Sequence, residues 1–180
     1  VSSVGRTGGP AAAALATYQV RFQAQGPDAQ RVYRELAAAL EEIVRTRDAT
    51  GKWPTVEALA AEAIEPFEGA PRHRGDTPHP GWELHAEQGV VNYLGRDPRD
   101  LTGPYYLLCI QEPPPGTTGR EGHLGGLDET HRKLADGTAV HVGLWFHARP
   151  RPGKDALDAP QREGWTQIVD GAPARPDASP

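Results

Sequence analysis

An α+β protein is predicted by two patterns along this chain. Apolar residues recur at helical spacing in the first third, and near residue 80 the spacing changes to the alternation of half-buried strands. An N-terminal amphipathic helix and a short second helix, packed on an antiparallel β-sheet, satisfy both.

The first helix is marked by Val32, Leu36, Leu40 and Ile43, with Tyr33 and Val44 widening the stripe and Arg31, Glu35, Glu42 and Arg45 lying off it. Asp28 after Gly26-Pro27 is the expected N-cap, and the helix is expected over residues 28–48. Gly51-Lys-Trp-Pro54 breaks it. Thr55 then caps a shorter helix over 55–64, with Val56, Leu59, Ala60 and Ala63 as its apolar positions and Pro66 as its stop. Five strands follow, at 82–85, 90–94, 105–111, 129–134 and 139–147, and the turn Ala86-Glu-Gln-Gly89 joins the first two. The expected division is a Gly/Ala/Ser-rich linker over 1–26, a single α+β domain over 27–148 and a largely disordered Pro-rich tail over 149–180. Within that tail only Trp165 to Val169 has strand character, as an edge strand.

Composition removes several function classes. Acidic residues outnumber basic ones, 24 to 19, without a basic run, so the electrostatic footprint of a nucleic-acid binder is absent. Cys109 is the one cysteine, which excludes an intrachain disulfide and thiolate zinc clusters. Its neighbours in Tyr105-Tyr-Leu-Leu-Cys-Ile110 make it a small apolar filler of a buried strand rather than a nucleophile. The longest N-terminal apolar stretch, Ala11 to Ala16, is too short for a membrane span of about 20 residues. A start at Val1 without any Met is read as a piece of something longer.

Chemistry gathers in the segment His131 to His147, which holds three of the seven histidines around the hairpin signal Asp136-Gly137. On the second strand His141, Gly143, Trp145 and His147 share one face, and Val140, Val142, Leu144 and Phe146 share the core face. Six residues of strand put His141 and His147 roughly 20 Å apart, too far for one metal. The place of His131 depends on the turn. A two-residue Asp136-Gly137 turn sends it to the core face, whereas a three-residue Ala135-Asp136-Gly137 loop sets it directly across from His141, with side-chain roots about 5 Å apart. In the second geometry His123 closes a three-histidine zinc site and Glu129 or Asp128 adds an oxygen ligand. The competing reading is a solvated face with ordinary surface histidines, and His73, His79 and His85 are read that way.

The order helix, Asp48-Ala-Thr-Gly51-Lys-Trp53-Pro54-Thr-Val-Glu-Ala-Leu59, then sheet, resembles type IV pilins and pseudopilins, whose long helix also runs into a Gly-x-x-Pro connection. The chain lacks that family's continuous hydrophobic half-helix, which tells against fibre assembly. A longer resemblance covers residues 15–148. The succession Leu36, Leu40, Trp53-Pro54, Leu59-Ala60, Glu62-Ala-Ile64, Pro66-Phe67, Trp82, Tyr93-Leu-Gly95, Tyr106-Leu-Leu108, His131 and Leu144-Trp-Phe-His147 carries it. It is similar to an uncharacterised bacterial family whose members have one N-terminal membrane helix and a periplasmic domain and are encoded beside zinc-uptake transporters.

That resemblance implies a periplasmic domain tethered to the inner membrane through a helix upstream of Val1, with a metal transporter or metal-binding protein as partner. The resulting expectation is a non-enzymatic accessory protein of zinc or transition-metal homeostasis. A pseudopilin-like structural subunit is the alternative. A hydrolase built on Cys109 or on a histidine-bound metal ranks behind both.

Overall fold

The computed structural model describes residues 15–68, 81–114, 131–150 and 156–170. Its elements in chain order are β1 (Gln19–Arg21), α1 (Pro27–Thr50), α2 (Val56–Ala61), β2 (Trp82–Glu87), β3 (Val90–Arg96), β4 (Tyr105–Gln111), β5 (His131–Lys133), β6 (Ala139–His147) and β7 (Thr166–Val169). The α+β class holds. The sheet, however, is mixed and has seven strands in the order β1-β7-β6-β4-β3-β2, with β5 pairing the remaining part of β6.

The strands beyond the expected five come from the segments assigned to linker and tail. Gln19–Arg21 runs parallel to Thr166–Val169, and β7 lies between β6 and β1 instead of forming an edge. Leu157 and Trp165, from the segment before β7, also pack on the sheet. Leu157 exchanges backbone hydrogen bonds with the buried Asn92 side chain, its N–H donating to Oδ1 and its carbonyl accepting from Nδ2. Pattern alone underrates such segments because each owes its order to contacts far away in sequence.

Helix α1 is longer than the expected 28–48, and Asp28 is not its cap. Gly26 takes that position and Pro27 stands at the first helical residue, where its missing N–H costs nothing. Asp28 instead sits in the first turn and pairs with Arg31 at 3.2 Å. Gly51 ends the helix in the left-handed conformation, φ 74°, with its N–H on the Arg47 carbonyl. The second helix is shorter than expected; Thr55 caps it by accepting from the Ala58 N–H at 3.2 Å.

The two sheet faces carry separate cores. Val32, Leu36, Ala39, Leu40 and Ile43 of α1 are buried against one face with Val91, Tyr93, Tyr106, Leu108, Ile110, Val140, Val142 and Leu144. Phe67 packs there edge-on against Trp82, ring centroids 5.2 Å apart. The outer face buries Leu107, Cys109, Trp145 and Trp165, with Leu157 and Tyr105 packed against them. Tyr18 stacks on Trp145 at 5.9 Å.

Strands β2 and β3 close on a tighter turn than Ala86-Glu-Gln-Gly89. Gln88 and Gly89 have φ 48° and 80°, the two-residue geometry with both centres left-handed. At the far end of this hairpin the Trp82 indole lies across Gly95, where an added Cβ would come within 2.5 Å of the ring and 2.1 Å of the Gly81 carbonyl oxygen. Gly95→Ala is therefore expected to cost about 1–3 kcal/mol by overpacking. Urea unfolding checks this, and an unchanged midpoint would mean that the Trp82 ring is not held against the strand.

Candidate functional site

The histidine hairpin is built by its turn. The Leu134 N–H bonds the Thr138 carbonyl at 2.8 Å, and the Gly137 N–H bonds the Leu134 carbonyl at 2.9 Å. Ala135-Asp136-Gly137 is thus a three-residue loop with Gly137 at φ 89°, a conformation that suits glycine. Asp136 Oδ1 accepts from the Thr138 N–H at 2.8 Å and braces the turn. Hydrogen bonds from the Thr138 backbone and side chain hold the Asp136 carboxyl below its ordinary pKa.

Loop length decides the register. With three loop residues Lys133 pairs Ala139, Arg132 pairs Val140 and His131 pairs His141. Both imidazoles project from the outer face, half-buried, with ring centroids 5.1 Å apart and planes at 74°. Between the two turn geometries open from sequence, the structure has the one that joins these histidines.

Helix α1 fixes the hairpin from the other face. Asp48 Oδ1 accepts from the Ala135 N–H at 2.9 Å, and Arg132 reaches Glu41 at 3.2 Å. Val140, Val142 and the buried Leu134 are core residues on that side. Across the sheet, His141 is paired with Gln111 of β4, whose amide donates to the Asp158 carbonyl. The histidine pair therefore has packed secondary structure behind it and the crossing 157–158 segment beside it.

His147 belongs elsewhere. Its Nδ1 accepts from the Arg149 N–H at 2.9 Å and its ring packs on Trp165 at 5.5 Å. His85, on β2, pairs with Glu83 at 3.1 Å. The expected further ligands His123 and Glu129, with Asp128, lie outside the described residues, as do His73 and His79. Among the described residues no group of three or more His, Cys, Asp or Glu side chains is placed to hold a metal ion.

Cys109 is buried between Leu107 and Asn92 on the outer face, its Sγ donating to the Leu157 carbonyl at 3.5 Å. Burial pushes its thiol up to about 12, which removes the thiolate a nucleophile needs.

One polar cluster went unread in the sequence. Asp97, 3% exposed, accepts from Arg31 Nη2 at 2.6 Å and from Arg99 Nε at 2.8 Å, while Arg99 also reaches Glu35 at 2.5 Å. It joins α1 to the β3–β4 connection. Nothing in Gly95-Arg-Asp-Pro-Arg-Asp100 sets Asp97 apart from a solvated loop residue, because its partner Arg31 is 66 positions away.

No helix among the described residues is long and apolar enough to cross a membrane. No curated protein and no solved structure matches the chain. A family model does match, over residues 25–172, from just before α1 to just beyond β7, and by that match the chain belongs to a family of unknown function, DUF6162.

Proposed function

We propose that this chain is a non-enzymatic, extracytoplasmic accessory protein of bacterial zinc or other transition-metal homeostasis. His131 and His141 take the metal, with His123 and Glu129 as further ligands. The cross-strand histidine pair is the observation that carries this reading. Two imidazoles on one tetrahedral zinc, each with Zn–N of about 2.0–2.1 Å, have ring centroids roughly 5 Å apart. The 5.1 Å separation of this pair matches that requirement. Tethering to the inner membrane by a helix upstream, and a metal transporter or metal-binding protein as partner, follow from the resemblance over residues 15–148. The acidic balance of the chain favours a cation over a nucleic-acid partner.

Calorimetric titration with zinc tests the reading on four proteins: the wild type, His131→Ala, His141→Ala and His147→Ala. Each of the first two substitutions should weaken binding tenfold or more, about 1.4 kcal/mol. His147→Ala should leave it unchanged, because that ring is engaged with Trp165 and Arg149. Equal affinity in all four, or none in the wild type, would end the proposal.

A pseudopilin-like structural subunit is the second reading. It is supported by α1 lying over one face of the antiparallel β2-β3-β4-β6 part of the sheet. Neighbouring genes separate the two, zinc-transporter genes favouring the first and secretion or pilus genes the second.

A further inference from the structure

Strand β2 ends the sheet, and among the described residues no strand pairs with its far side. Its register settles which backbone groups face outward. The Arg96 N–H bonds the Gly81 carbonyl at 2.8 Å, so with Glu83 opposite Leu94, His85 opposite Asn92 and Glu87 opposite Val90, the residues at 81, 83, 85 and 87 spend their backbone groups on β3. The N–H and C=O groups of Trp82, Leu84 and Ala86 point the other way, along an open ladder.

The side chains along this edge are sorted as well. Trp82, Leu84 and Ala86 are on the α2 side, whereas Glu83, His85 and Glu87 are on the outer face. An open cavity of about 430 Å³ runs beside the edge, lined by Thr55, Val56 and Glu57 of the α2 start together with residues 82–85. That is the size range of a ligand pocket. The Trp82 Nε1–H is buried and has no acceptor among the described residues. Glu57, Glu83 and Glu87 are exposed, and the cation on the outer face of β3, Arg96, is turned to the Leu101 carbonyl and the Tyr105 ring.

We propose that the β2 edge is a docking strand for an extended basic segment of a partner protein, with Lys or Arg alternating with apolar residues. Added to β2, such a segment completes the ladder at Trp82, Leu84 and Ala86. Alternation sends its apolar side chains toward the cavity beside Val56 and Leu84, and its cations beside Glu83 and Glu87. A second copy of this chain fits less well. Strand β2 carries no Lys or Arg, so a second β2 would bring no such cation to Glu83 and Glu87.

Amide hydrogen exchange on the full chain tests this, with a capped octapeptide of alternating Lys and Val as the probe and its Glu-Val counterpart as the control. The amides of Trp82, Leu84 and Ala86 should exchange rapidly in the free protein and slow tenfold or more with Lys-Val, while those at 83, 85 and 87 are protected throughout. Glu83→Lys and Glu87→Lys should each weaken the effect tenfold or more. The proposal is overturned if the three amides are already slow in the free protein, whether at every concentration, which means the chain covers its own edge, or only at high concentration, which means a second copy does. Absence of protection by Lys-Val, or equal protection by Glu-Val, overturns it too.

Discussion

Leu40→Ala will lower the stability of the domain by about 3 kcal/mol, within the range of roughly 2–5 kcal/mol for deleting a buried leucine. The side chain is 4% exposed in the middle of the α1 stripe, among Leu36, Ile43 and the sheet residues of the inner core. A helix of 24 residues cannot readily collapse into the space, because both neighbours along the stripe, Leu36 and Ile43, are themselves buried in the same core. For a domain of this size the loss corresponds to a fall of roughly 6–12 °C in Tm. Arg45→Ala, five residues on at a side chain 70% exposed, should move it by no more than about 0.5 kcal/mol. A thermal melt in which both variants behave alike would mean that α1 is not held on the sheet.

The helix stripe was legible because its cause is local. Apolar residues three and four apart make a face whatever that face later meets, and the alternation of Val140, Val142, Leu144 and Phe146 announces its core side in the same way. Asp136-Gly137 was also legible as a turn. Its loop length was not, since the two-residue and three-residue closures use the same residues and differ in which pairs bond. The structure resolves this through contacts beyond the hairpin, above all the Asp48 carboxylate on the Ala135 N–H, a pairing 87 residues long. Strands β1 and β7 were hidden for the same reason. Gln19–Arg21 has three residues and no pattern of its own, and it is a strand only because Thr166–Val169 lies beside it.

Long range also explains why the cluster of Asp97 with Arg31, Arg99 and Glu35 sits where sequence patterns are silent. Asp97→Ala is expected to cost about 3 kcal/mol at neutral pH, since hydrogen bonds to charged groups contribute about 1.5–3 kcal/mol and a cation stripped of a buried partner is penalised further. The Arg31 and Arg99 side chains, 32% and 43% exposed, can turn partly to water, which keeps the cost below that of a fully buried pair. Burial on its own raises the Asp97 pKa, but the hydrogen bonds from the Arg99 side chain and backbone and from Arg31 outweigh it and hold the carboxyl below the ordinary value. The reciprocal effect raises Arg31, chiefly through its bond to Asp97, and Arg99, chiefly through Glu35. A carboxyl with a depressed folded pKa contributes stability above its unfolded value of about 3.9 and loses it as pH falls through the folded one. The gap between wild type and Asp97→Asn should therefore be full at pH 7 and shrink only below about pH 4. Urea unfolding at pH 7, 5 and 3 measures it; a gap that stays constant down to pH 3, or one that closes already between pH 7 and 5, would mean that the charge of Asp97 is not what binds α1 to the β3–β4 connection.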